Sequence, residues 1–141
     1  MIKPQLRRGA ALLLAGLLTL AGAAPALAEP AADQQLAQAY AAHRSHLQIE
    51  DDGVVLKLLP DDTEGSRHQR FVVQLANGQR LLFAYNIDLA PRIDALQRGD
   101  TIAFRGEYIW NRKGGIVHWT HHDPSGRHAG GYIRLNGRVY Q

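Results

Sequence analysis

Asn77-Gly78 separates two runs that read as strands, residues 66–76 and 79–85. Phe71, Val73 and Leu75 fall on one face of the first run, as a strand with a side-chain period of two requires. Both central positions of a type I′ turn need positive φ, which Asn and Gly tolerate best. The spacing therefore predicts an antiparallel hairpin closed by a turn of that type. A single hairpin is marginal in water, so the rest of the chain must supply strands to cover its apolar face.

Those strands are visible on both sides. Residues 47–59 read as a preceding strand, with Asp51-Asp52-Gly53 as a bend or bulge inside it. Residues 86–98 carry Pro91, then Ile93 and Leu96 at helical spacing, which predicts a short helical or Ω-like connection. Residues 101–109 make a fourth strand with Ile102, Phe104, Gly106 and Tyr108 on one face, and residues 116–121 a fifth. A small terminal hairpin over 131–135 and 138–140 turns at Asn136-Gly137. Three strands, a short helical connection and two more strands is the order of a five-stranded Greek-key barrel of the OB type. The expected fold is thus mainly β, an OB-like barrel over residues 47–141. An SH3-like barrel and an irregular sandwich are the alternatives. A helix over 33–46 precedes it, capped by Asp33 and lying on the surface through Leu36, Ala39, Tyr40 and His43.

Residues 1–28 have the pattern of a cleaved export signal. Lys3, Arg7 and Arg8 precede an apolar run over residues 10–20, and Ala26-Leu27-Ala28 offers the small-x-small cleavage pattern. The run is shorter than the roughly 20 residues a spanning helix needs. The expected location is periplasmic or extracellular, with no transmembrane segment once the signal is removed. The chain holds 16 basic and 13 acidic residues. Three of the basic ones lie in the signal, so the mature part balances, and a general nucleic-acid role cannot be read from the basic total. Charge is nevertheless polarised: residues 29–64 hold eight acidic and two basic residues, and residues 105–141 hold six basic and two acidic. With no cysteine, the domain relies on its core or on a metal. A monomer is expected, with no protein partner indicated.

The chemistry concentrates in H-W-T-H-H-D-P-S-G-R-H, residues 118–128, which holds four of the seven histidines. Along a straight strand His118 and His122 would stand about 13 Å apart, too far to share an ion. A bend before Asp123-Pro124 would let His118, His122, Asp123 and His128 offer three nitrogens and a carboxylate to zinc or another divalent transition ion. Asp123-Pro124-Ser125-Gly126 is equally a good turn on its own. A second group, Arg67, His68 and Arg70, opens the second strand with polar residues, and Arg67 would need Asp61, Asp62 or Asp88 as a partner. Asn86, Asp88 and Arg92 end the third strand, and Glu107 and Trp110 lie on or after the fourth. His43 and His46 are three apart on the expected helix and read more simply as exposed polar residues.

Four motifs together, L-P-D-D-T-E-G-S-R-H-Q-R-F, N-I-D-L-A-P-R-I, G-E-Y-I-W-N-R-K-G-G and H-W-T-H-H-D-P-S-G-R-H, resemble a family of small exported bacterial proteins classed only as a domain of unknown function. The resemblance covers residues 52–134 and implies no activity or cofactor. The run R-L-L-F-A-Y-N-I-D-L-A-P with this strand order is also faintly similar to staphylococcal-type nucleases. Their catalytic Asp and Arg pattern does not map here, so no residue carries over.

Two functions follow from the residues. The first is a binding module for an anionic or polyhydroxylated ligand, an oligonucleotide or oligosaccharide, held by Arg67, His68, Arg70, Asn86, Asp88, Trp110, Trp119 and Arg127. The alternative is a metal-dependent hydrolase of the phosphodiesterase type. Its ion would sit on His118, His122, Asp123 and His128, and its catalytic candidates are Arg67, His68 and Asp88. No Gly-rich phosphate loop, G-x-S-x-G or H-E-x-x-H motif is present.

Overall fold

The computed structural model describes residues 31–141; the export signal read over residues 1–28 lies outside them. Within that span the chain is mainly β. One helix, α1 (Ala31–Ala41), precedes seven strands: β1 (Leu47–Asp62), β2 (His68–Gln74), β3 (Arg80–Asn86), β4 (Thr101–Ile109), β5 (Ile116–His118), β6 (Tyr132–Leu135) and β7 (Arg138–Tyr140). They form one mixed sheet in the order β1-β2-β3-β5-β4-β6-β7, and β1 pairs with β4 as well. Among the described residues no helix is long and apolar enough to cross a membrane.

β1 is the long strand that joins both sides. Its first half, Leu47 to Val54, pairs with β4, and from Val54 onward it pairs with β2. The handover falls at Gly53-Val54, where a Cβ on Gly53 would press on Val73 and the Gln74 carbonyl. The expected bulge at residues 51–53 is absent, because those residues stay in register with β4. The register shifts lie further on, between Val55 and Lys57 and between Leu59 and Asp62. β3 and β5 run parallel, Leu82 beside Ile116.

The alternation that defines the strands also defines the core. Phe71 and Val73 from β2, Leu81, Phe83 and Tyr85 from β3, and Ile102, Phe104 and Tyr108 from β4 are all fully buried. Phe71 stacks on Phe83 at 5.1 Å, and Phe83 meets Phe104 edge to face at 4.7 Å, geometries that add to simple burial. Burial pushes the Tyr85 phenol up to about 12, with a smaller contribution from Tyr140. Tyr85 stays neutral and donates to the Pro91 carbonyl.

Three local expectations need correction. The β2–β3 turn is not type I′: Gly78 is left-handed at φ 87° but Asn77 is not. Gly78 N–H donates to Leu75 C=O, the form of a three-residue loop ending in an αL glycine. The type I′ pattern belongs instead to Asn136-Gly137, at φ 50° and 78°. The connection from Ile87 to Asp100 contains turns but no helix. There the buried Gln69 side chain donates to Ile93 C=O and accepts from Ile93 N–H, so the Ile93 N–H is withheld from a helical ladder and its carbonyl serves only a single turn to the Leu96 N–H.

The helix also differs from expectation. It stops at Ala41, where left-handed His43 and His46 turn the chain toward β1. It is docked instead of lying on the surface, with Leu36 and Ala39 fully buried. Asp33, the expected cap, lies inside the helix and accepts the backbone N–H of Asn77 at the hairpin tip. Asp51 lies close by, and its Oδ2 is buried without a hydrogen-bond partner. Burial, then the nearness of the Asp33 carboxyl, with which a protonated Asp51 would share its proton, pushes the Asp51 carboxyl from 3.8 up to about 7. Between those values the folded chain holds the proton that the unfolded chain has lost. The contribution of Asp51 to stability is therefore complete below pH 4 and lost as pH rises through 7. The expected result is a melting temperature that falls between pH 5 and pH 8 in the wild type relative to Asp51→Asn. Parallel melting curves for the two proteins would remove this reading of the pair.

Candidate functional site

At the end of the sheet opposite the helix, β2 begins at His68 and β3 ends at Asn86, directly paired. β5 ends close by at His118. The expected extension of β5 to His121 fails at Trp119, which adopts φ 53°, an unusual conformation for a bulky residue. That turn breaks the alternation. Thr120 and His121 go inward and are buried, and His122 becomes exposed. Gly131 N–H donates to His121 C=O and holds the return of the loop against the chain it left.

Two imidazoles stack on the Trp119 indole, His118 at 4.5 Å and His128 at 4.4 Å. His121 meets His128 edge to face at 5.3 Å. Together with His68, Ala84, Asn86, Leu89, Asp123, Ser125 and Arg127, these side chains line a cavity of about 310 Å³.

Three histidines of the cavity wall have a defined tautomer. A carbonyl or carboxylate oxygen only accepts, so the facing ring nitrogen must donate. His121 Nδ1 donates to the His122 carbonyl at 2.8 Å, and His128 Nδ1 to the Ala129 carbonyl at 2.8 Å. His118 Nε2 lies 3.0 Å from Glu107 Oε1, which also receives His46 Nδ1 at 3.2 Å. Burial lowers the His121 pKa, opposed by its hydrogen bond to the His122 carbonyl. His121 is thus held neutral, with Nε2 left as an acceptor.

Asp123 builds the loop. Its Oδ1 accepts from the Ser125 N–H and hydroxyl, and its Oδ2 from the N–H groups of Arg127 and His128. These bonds, the Ser125 side chain first, hold its carboxyl far below the usual carboxylate range. The turn reading of Asp123 therefore accounts for all four bonds. Among the described residues no three His, Asp or Glu groups stand ready to hold one ion, and the expected set of His118, His122, Asp123 and His128 is not assembled.

The other expected site residues divide clearly. His68, Asn86, Trp119 and Arg127 line the cavity with His118, Asp123 and His128. Arg67 is engaged by Asp88, its Nε at 2.7 Å from Oδ1 and its N–H on Oδ2. That backbone bond and then the guanidinium lower the Asp88 pKa. Arg70 donates to the Pro60 carbonyl, and Arg92 pairs with Asp61 and Asp94. Arg67, Arg70 and Asp88 are absent from the cavity wall. Trp110 belongs to the helix dock, with its indole N–H on the Tyr40 carbonyl and the His43 ring tilted against it at 4.1 Å. Sequence reasoning missed His121. Strand alternation turns it away from His118, and no residue pattern announces a left-handed Trp119.

No curated protein matches this chain. A family described as proteins of unknown function, DUF3465, matches residues 17–141, and its span takes in both the hairpin and the histidine loop. The chain belongs to the DUF3465 family.

Proposed function

We propose that the protein is an exported binding module of the OB-like type, and that its histidine-lined cavity takes a compact anionic ligand. The circuit of pairings from β1 through β2, β3, β5 and β4 back to β1 supports the barrel, because such a circuit leaves none of its five strands with a free edge. The observation that carries the ligand reading is convergence. Polar residues from β2, β3, β5 and the 123–128 loop meet at one cavity, the arrangement expected of a small-molecule site.

The donors at its rim suit an anion. Arg127 has no carboxylate partner among the described ion pairs, and its Nε donates to Ser125 Oγ. Asn86 Oδ1 already accepts from Asp88 N–H, which leaves its amide NH₂ as a donor. Stacking of a base or sugar on Trp119 is disfavoured, since two imidazoles already occupy the indole. A phosphate or carboxylate fits better than a long oligomer. A metal-dependent hydrolase is the second reading, favoured by the Glu107–His118 bond, the kind of carboxylate contact that orients an imidazole ligand or base.

Titration calorimetry with inorganic phosphate and short oligophosphates at low salt tests the first reading. Binding is expected to saturate, and Arg127→Ala to weaken it about tenfold, the effect of losing one charge-assisted hydrogen bond. Arg67→Ala should leave it unchanged. Absence of saturable binding, or an equal loss with Arg67→Ala, would overturn the proposal.

A further inference from the structure

The cavity contains a pattern that anion binding does not use. His121 and His128 each donate Nδ1–H to a backbone carbonyl. Both therefore keep an unprotonated Nε2 when neutral, and both line the same cavity. Metal-bound imidazoles are held in just this way, with the non-ligating nitrogen donating to a fixed oxygen that sets tautomer and ring direction. Their ring centres lie 5.3 Å apart. Two imidazoles on one tetrahedral ion, with bonds of about 2.0–2.1 Å, have ring centres about 5 Å apart.

His68 lies on the same wall and is close enough to His121 to act on its charge. Among the described residues no hydrogen bond to its ring is found. Asp123 is not a competing ligand, because its two oxygens already accept four donors. The His128 Nε2 stands 3.7 Å from Asp123 Oδ2, beyond hydrogen-bond length.

We infer that this cavity binds a first-row divalent transition ion, of the zinc, copper or nickel class, through His121 and His128, with His68 as the third ligand. The inference rests on the reading that the cavity is the functional site. The three groups are not yet at ligating distance, so His68 closes on the ion by side-chain rotation. Neutral imidazole suits these ions, and water fills the remaining position as it does in open sites. The bound ion would in turn face Arg127 and Asn86, and an anion drawn by both would complete its coordination.

The stack of His128 on Trp119 gives the test a direct signal. Untagged protein carrying Trp110→Phe is titrated with Ni(II), then with Cu(II), while Trp119 fluorescence is followed; Zn(II) is added as a competitor. Quenching is expected to saturate at one equivalent, and that by Ni(II) to be reversed by excess zinc, which copper as the tighter binder resists. His121→Gln and His128→Gln should each weaken binding by about tenfold or more. Arg127→Ala and the exposed His122→Gln remove no proposed ligand and should weaken ion binding much less than either of those two substitutions. Arg127→Ala also separates the two proposals, because it weakens phosphate binding about tenfold and removes no ligand of the ion. Quenching that never saturates, or that survives both histidine substitutions, overturns the inference. Where His121→Gln does not fold, His128→Gln alone decides.

Discussion

Gly131→Ala is expected to cost about 3 kcal/mol of stability and to open the histidine loop. A Cβ at this position would lie deep inside van der Waals contact with the carbonyl oxygens of Trp119 and Arg105, and against the Thr120 Cα. All three are backbone atoms, so no rotamer change relieves the clash. Gly131 is not among the left-handed glycines, so the argument is one of space alone. To make room, the chain must release the Gly131–His121 hydrogen bond, and with it the turn that places His121 in the cavity wall. Denaturant melts should show the loss, and ion or phosphate titration should show the site weakened with it. A variant within about 0.5 kcal/mol of the parent would mean that the loop yields without cost.

Phe83→Ala is the second large effect, expected to remove about 3–5 kcal/mol. Phe83 is fully buried between Phe71 and Phe104. It lies on β3, which pairs antiparallel with β2 on one side and parallel with β5 on the other. Its ring therefore fills the space between strands distant in sequence, and its loss leaves a cavity no single neighbour can collapse into. For a domain of this size a change of that order lowers the melting temperature by more than ten degrees, at about 4–8 °C per kcal/mol. A drop of only a few degrees would show that the three rings do not form the centre of the core.

How far the sequence was legible depended on whether one residue's neighbours decided its conformation. β2 and β3 were readable because Phe71 and Val73, and Leu81 and Phe83, recur at every second residue, and burial follows that period. β4 was readable for the same reason through Ile102, Phe104 and Tyr108. The sites that misled were decided by distant partners. Gln69 clasps Ile93 from 24 residues away and overrides the helical spacing of Ile93 and Leu96. Asp33 serves the hairpin tip 44 residues on, which no capping rule anticipates. Within the candidate site, gathering His68 and Asn86 with the region after His118 was foreseeable from the polar ends of two paired strands. The exchange of His121 for His122 was not, because it depends on one left-handed Trp119 held by rings and by Gly131.

The double pairing of β1 has a consequence for how the chain reaches this state. Its first half has no partner until β4 exists: Leu47 meets Tyr108, about sixty residues later. Its second half can pair early with β2, across a short loop. Local hairpins therefore form quickly, while the β1–β4 contact, with its long loop to close, sets the pace. The strand synthesised first is only half secured until most of the chain has followed, and its exposed edge is the surface by which an unfinished molecule would join another.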